Sequence, residues 1–254
     1  MTRKVTKLTS KEVQHLVSLR ISVLGDGGQG VVYLVPWQDE PAVLKVGISE
    51  SSSKYTHFKQ EAKLMSEADG AGGVPILLAV APHTPAIVCS FSGKKTLAYH
   101  MFNNKKKYNL LELGVLAGKQ LLQLHKKGII HNDIKPDNIM VNGGRVAPQV
   151  NLIDLGQACK AGESLNWDRD PNRSLWRAPE VCRGQPSTPE SDVFSFGVLM
   201  KNLLGEVSGD HPNTTFVTKT AFNNDPSQRP SLKNFLRQLF YAIQEDAASS
   251  RQPC

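Results

Sequence analysis

Apolar residues come in short runs over the first third of this chain and in helical rhythm over the rest. Residues 21–24 and 31–35, rich in Val, Ile and Leu, flank Gly25-Asp26-Gly27-Gly28-Gln29-Gly30, which predicts two antiparallel strands joined by a glycine-rich turn. Residues 41–46 read as a third strand with one lysine, Lys45, among apolar neighbours. Residues 74–80 and 86–91 read as two more. Between them, residues 58–68 repeat at helical spacing, with Phe58, Ala62 and Met65 on one face and Glu61 near it. The first 18 residues read as a polar lead-in with a short helix around 12–16. A five-stranded sheet with one helix is therefore expected over residues 1–92.

The composition changes at Ser92-Gly93-Lys94-Lys95, and a boundary is placed there, with a second part over 93–254. Leucines at 110, 111, 113, 116, 121, 122 and 124 predict a buried helix over 108–127. Residues 193–204 and 232–243 are the clearest later helices, and residues 247–254 read as disordered. The expected class is α+β, a small β-rich part followed by a mainly helical one.

One stretch breaks the rhythm. His131-Asn132-Asp133-Ile134-Lys135-Pro136-Asp137-Asn138 inserts charges and amides between the apolar runs 121–130 and 139–141. Polar atoms in such a setting need partners. Asp133 and Asn138, on either side of a proline-containing turn, suit a base and a metal ligand in a phosphate-handling loop. The glycines at 25–30 fit the same chemistry, because backbone N–H groups approach a phosphate where side chains are missing. A strand follows the last glycine where a dinucleotide fold would have a helix, which argues against that fold. If the 58–68 helix packs on the sheet, Glu61 pairs with Lys45; otherwise the lysine snorkels outward and the glutamate is exposed.

With 254 residues and 40% hydrophobic content, the chain suits one large domain or two small lobes with a real core. The net charge of +7 is spread over small groups (Lys94-Lys95, Lys105 to Lys107, Lys126-Lys127) without interleaved aromatics, which favours a solvated surface over a nucleic-acid site. The lysine triplet is a thin match to a nuclear-localisation signal. Cys89, Cys159, Cys182 and Cys254 lie too far apart for a zinc or disulfide framework, so free thiols in a reducing compartment are expected. No apolar h-region follows the basic N-terminus, and the longest apolar run, 74–82, is too short to span a bilayer. The expectation is an intracellular protein, cytoplasmic or also nuclear, and monomeric by default.

Taken in order, Gly25-x-Gly27-x-x-Gly30-x-Val32, Val43-Leu44-Lys45, Glu61, the 131–138 stretch, Asp154-Leu155-Gly156, Ala178-Pro179-Glu180, Asp192 and Arg229 resemble the eukaryotic-type protein kinase family from about residue 19 to 240. The resemblance implies the two-lobed kinase fold, an N-lobe over 1–92 and a C-lobe over 93–254, with ATP held in the cleft between lobes. It implies that Gly25, Asp26, Gly27, Gly28, Gln29 and Gly30 cover the phosphates, and that Lys45, held by Glu61, grips them. Asn138 and Asp154 would ligate Mg2+. Asp133 would accept or orient the acceptor proton, and Lys135 would steady the γ-phosphate. Val32, Val43 and Met140 would sandwich the adenine, with Cys89 near the gatekeeper position. Lys135 is of the Ser/Thr type, so the implied partner is a protein substrate with a Ser or Thr hydroxyl. Met65, His131 and Leu155 fit the family's apolar spine. Glu180 and Arg229 fit its anchoring ion pair, and Asp192 fits the acid that fixes the catalytic-loop backbone.

The chain departs from the pattern at several places. Asn132 replaces the arginine that answers a phosphate on the activation segment, and that segment carries only Ser164 and Ser174 as hydroxyl residues. Activity without activation-segment phosphorylation is therefore expected. Ser174 is expected to stand in, one place out of register, for the Thr that usually lies between the catalytic Asp and Lys. Leu155 replaces the common Phe, and the short interval from Asp192 to Arg229 predicts shortened late helices. Two other readings remain open: a pseudokinase acting as a nucleotide-binding scaffold, disfavoured by the presence of Lys45, Asp133, Asn138 and Asp154, and a small-molecule kinase of related fold, disfavoured by Ala178-Pro179-Glu180 with Arg229.

Overall fold

The runs at the start of the chain pair into a six-stranded sheet whose strands lie in the order Thr6–Lys7 (β1), Leu77–Ala81 (β5), Ala86–Ser90 (β6), Glu40–Val46 (β4), Gly30–Trp37 (β3) and Ser22–Gly27 (β2). The computed structural model describes residues 5–27, 30–47, 52–104, 107–165 and 174–249. The chain divides into two compact units, residues 1–70 with 74–92, and residues 71–73 with 93–254.

In the first unit, β2 (Ser22–Gly27) and β3 (Gly30–Trp37) form the glycine hairpin, closed by the pair Gly27 and Gly30. A Cβ on Gly30 would collide with the Val46 carbonyl of the neighbouring strand, so only glycine lets the backbones approach there. The next strand, β4 (Glu40–Val46), pairs antiparallel with β3 on one side and with β6 (Ala86–Ser90) on the other. Side chains alternate across a strand. Val35, Ala42 and Leu44 therefore lie on one face of the sheet, in a core completed by Leu8 and Val13. Val32, Val43 and Lys45 lie on the other.

One added strand corrects the expected five, and the short helix expected around 12–16 is longer than expected. Thr6–Lys7 (β1) pairs in parallel with Leu77–Ala81 (β5), and Ser10–Ser18 forms α1. α1 starts at a capping box, in which the Thr9 hydroxyl accepts the Glu12 N–H and the Glu12 carboxylate accepts the Thr9 N–H at 2.7 Å. The second helix, α2 (Ser52–Ala68), begins six residues before the expected start at Phe58.

The second unit is mainly helical. The short α3 (Leu97–Asn103) precedes α4 (Leu110–His125), which is capped by Asn109 and buries the leucine face predicted for it. After the four-residue α5 (Pro179–Cys182) comes α6 (Pro189–Leu204); a Cβ on Gly118 would meet Phe196 of α6 and Leu236 of α8 (Leu232–Ser249), so a glycine here lets three helices close on one core. Phe196 and Phe235 meet edge-on in that core, 5.8 Å apart. Between α6 and α8 lie only the eight-residue α7 (Pro212–Lys219) and two 3-10 turns, the shortened late helices expected. Residues 247–249, expected to be disordered, end α8 as helix. Two short ladders complete the unit, β7 (Ile129–Ile130) with β10 (Cys159–Lys160), and β8 (Ile139–Gly143) with β9 (Pro148–Leu152). Among the described residues no helix is long and apolar enough to cross a membrane.

Candidate active site

In the first unit the sheet face carrying Val32 and Val43 also carries Lys45, and α2 brings Glu61 to it. The Lys45 ammonium donates to both Glu61 oxygens, at 3.0 and 2.9 Å, and lies 5.8 Å from the centre of the Phe58 ring. Glu61 is buried, so the alternative of an exposed helical glutamate is set aside. A buried carboxylate needs such a partner. Gly25, Asp26, Gly27 and Gly30 lie on the β2–β3 hairpin, while Gly28 and Gln29 fall outside the described residues. Cys89 sits buried in β6, opposite Val43.

In the second unit the 131–138 stretch leaves β7 and ends in a 3-10 turn, Pro136–Asn138, that leads into β8. Asp192, fully buried near the start of α6, anchors its beginning. Its two oxygens accept the backbone N–H groups of His131 and Asn132, both at 2.8 Å, and the His125 ring nitrogen lies 2.9 Å away. Asn132 is held at φ +61°, a left-handed conformation that asparagine tolerates better than most residues. The His131 ring accepts the Asp133 N–H at Nδ1 (3.3 Å) and meets the Ile153 carbonyl at Nε2 (3.2 Å), which links this loop to the one after β9.

Asp133 is the hub of the loop. Its Oδ2 accepts from Lys135 Nζ and Asn138 Nδ2, each at 2.7 Å. Its Oδ1 accepts from Trp176 Nε1 at 2.8 Å, with Arg177 Nη2 at 3.5 Å. Asn138 gives its other amide hydrogen to the Asp133 carbonyl at 2.9 Å. Both of its N–H bonds are thus committed, and its Oδ1 stays available as an oxygen donor. Asp154 follows β9 at φ +65° and accepts the Gly156 N–H at 3.2 Å. The Ile153 N–H bonds to the Asn138 carbonyl at 3.0 Å, so Asn138 and Asp154 flank the same end of the β8–β9 ladder. Met140, on β8, is buried.

An amide oxygen and a carboxylate are hard donors, and a cation that keeps waters and takes phosphate oxygens as its remaining ligands needs few protein ligands. The Asn138 amide oxygen and the Asp154 carboxylate could hold such a cation; among the described residues no group of three or more His, Cys, Asp or Glu could hold a metal ion by itself.

Beyond the loop, Glu180 and Arg229 form a buried two-pronged ion pair, Oε1–Nη1 2.7 Å and Oε2–Nη2 2.9 Å. Burial pushes the Glu180 carboxyl up, but the Arg229 and Ser191 hydrogen bonds outweigh it and hold the group below its ordinary value. The thiol of Cys159, beside Asn132, is pushed up by burial and is suited to packing rather than reaction.

Among the described residues, no hydrogen bond joins Ser174 to Asp133 or Lys135, where it is expected to stand in. Its carbonyl instead closes a turn with the Arg177 N–H at 2.9 Å. Trp176 occupies that place, with its ring 5.0 Å from the Lys135 ammonium. Sequence reasoning gave Trp176 and Arg177 no role. The only signal was their position just before Ala178-Pro179-Glu180, and position alone does not aim an indole N–H.

Comparison with known proteins matches residues 19–212 to the protein kinase domain. The chain belongs to this family, whose members are phosphotransferases. It is 27% identical over 244 residues to the dual specificity protein kinase shkD of Dictyostelium discoideum, covering 89% of this chain and 31% of that protein. It is 28% identical over 202 residues to the RAF proto-oncogene serine/threonine-protein kinase of Xenopus laevis, covering 75% and 31%. With the serine/threonine/tyrosine-protein kinase HT1 of Arabidopsis thaliana it shares 23% identity over 213 residues, covering 72% and 54%. The chain thus spans about a third of the length of two of these relatives and about half of the third.

Proposed function

We propose that the chain is an ATP-dependent protein kinase that transfers the γ-phosphate to Ser or Thr hydroxyls of a protein substrate, without needing a phosphorylated activation segment. One observation carries this reading: the Asp133 carboxylate is fixed on one side by Lys135 and Asn138 and on the other by donors from the segment that precedes Glu180. When bound, Mg2+-ATP supplies the phosphoryl group and the cation that neutralises its charge. Everything else falls to the protein's own groups.

Asn138 and Asp154 would hold the metal through oxygen. Lys45, kept in place by Glu61, would bind phosphate oxygens, with the backbone at 25–30 as further donors. Val32, Val43 and Met140 would pack on the base. Lys135 sits within 2.7 Å of Asp133 and brings positive charge to where the phosphoryl group and the acceptor meet. Asp133 would orient the acceptor hydroxyl and take up its proton. For this the hydroxyl must replace a present donor on Oδ1. Lys135 and the serine/threonine relative favour Ser/Thr acceptors, while the dual specificity and serine/threonine/tyrosine relatives keep tyrosine among the outcomes to test.

The test is phosphoryl transfer from labelled Mg2+-ATP to generic protein substrates, with phosphoamino-acid analysis of the product. Asp133→Asn is expected to lower turnover at least a hundredfold, by removing the base while keeping the shape. Equal turnover by both proteins would refute the proposal. A nucleotide-dependent rise in Tm without any turnover would favour a nucleotide-binding scaffold.

A further inference from the structure

Position 132 carries an amide where a kinase that answers a phosphorylated segment carries a cation. The Asn132 side chain is buried and donates from Nδ2 to the Cys159 sulfur at 3.2 Å. A cation reaches the same loop from the segment that precedes Glu180. Arg177, with only 6% of its side chain exposed, donates from Nε to the Asn132 carbonyl at 3.2 Å and places Nη2 3.5 Å from Asp133 Oδ1. Its neighbour Trp176 holds the same oxygen at 2.8 Å. Two adjacent residues of the activation segment thus clasp two adjacent residues of the catalytic loop. The segment then runs directly into Glu180, itself locked by Arg229.

We propose that Arg177 is a positioning residue that ties the end of the activation segment to the catalytic loop permanently. It does from the segment side what a phosphate paired with a loop arginine does by regulation. This rests on the kinase reading above and names the physical basis of its phosphorylation independence. The guanidinium suits the task. It is charged at every physiological pH, and its rigid fork can meet a carbonyl and a carboxylate at once. Being encoded, it cannot be removed by a phosphatase. Buried as it is, it also has no reason to leave, since a guanidinium without partners there is strongly unfavourable.

The experiment uses the full chain with three arms: Arg177→Met, Arg177→Lys and phosphatase-treated wild type. Arg177→Met is expected to lower kcat about thirtyfold or more while the KM for ATP stays within twofold, because the nucleotide-binding side chains are untouched. Arg177→Lys should fall in between, since a point donor cannot span both acceptors. Phosphatase treatment should leave kcat unchanged. Hydrogen exchange provides a readout independent of turnover: amides of residues 174–178 should exchange at least tenfold faster in Arg177→Met, and those of α4 should not change.

A kcat within twofold of wild type together with unchanged exchange at 174–178 would overturn the proposal, as would loss of activity on phosphatase treatment. If Arg177→Met fails to fold, Arg177→Lys decides: wild-type kcat and exchange in that variant count against the tie. If wild type turns over no faster than Asp133→Asn, the kinase reading falls, and the exchange data alone judge the tie.

Discussion

Asp133 is 5% exposed and receives four side-chain donors, two on each oxygen. Those on Oδ2 come from its own loop, and those on Oδ1 come from the segment that precedes Glu180, so the two oxygens differ in how easily they are freed. On the proposed function, an acceptor hydroxyl would displace the indole N–H of Trp176, a bond to a charged acceptor worth about 1.5–3 kcal/mol. Trp176→Phe keeps the ring and deletes the donor. It is expected to lower the KM for protein substrate severalfold with kcat within about twofold, which steady-state kinetics on a fixed substrate would measure. At this scale much of the candidate site was legible in the sequence. Asp133 and Asn138 stand out because charged and amide groups between apolar runs are costly without partners, whereas Lys45, Glu61 and Asp154 are singled out by the order of motifs that resembles the kinase family. Trp176 and Arg177 were not legible. Their aim depends on the turn that closes between Ser174 and Arg177, and no local pattern encodes where such a turn points.

The elements most visible in the sequence were those with a period. The glycine hairpin was read from two β-branched runs, and α4 from its leucines. β1 escaped because Thr6 and Lys7 are both exposed and their partner, β5, lies some seventy residues on, a pairing without local signature. The first turns of α2 are polar and so gave no apolar period. α1 was underread although Thr9-x-x-Glu12 is a capping-box pattern. α1 covers the sheet face opposite Lys45, with Val13 at 2% exposure beneath it. Val13→Ala is expected to cost about 2 kcal/mol by loss of burial and the cavity left behind. Thr9→Ala, which removes only the cap, should cost about 1 kcal/mol. Urea unfolding of both variants would check the order. A larger loss for Thr9→Ala would mean that the cap, not the packing, holds α1 to the sheet.

On the scale of the whole chain, stability should depend on acid in a particular way. Glu180 and Asp246 are both buried carboxylates, and both titrate below their ordinary range. For Asp246, burial works upward, but the Thr214 hydroxyl and backbone N–H and the Asn213 donors outweigh it, joining α7 to α8. A carboxyl depressed by folding contributes stability that is present above its unfolded pKa and lost as pH falls through its folded one. Melting temperature should therefore hold from pH 7 down to the ordinary carboxylate range and fall below it. Asp246→Asn should melt lower at pH 7 yet lose less on acidification. A parallel offset of the two curves at all pH values would show that Asp246 does not contribute to the acid slope.

The two-residue β1 has a consequence for how copies of this protein treat one another. A sheet that ends on an unpaired strand offers its open N–H and C=O groups to any other strand, a route to self-association. Here the outer edge of β5 is covered by a strand too short to recruit a partner, carrying Lys7 and followed at once by the turn into α1. The family match begins only at residue 19. A chain trimmed to that boundary would keep every residue assigned to chemistry yet expose both an open sheet edge and the apolar face beneath Val13. Its colloidal behaviour, rather than its catalysis, would be the first property to change. The short N-terminal strand thus blunts the β5 edge of the sheet, while β2, paired only with β3, forms the other edge.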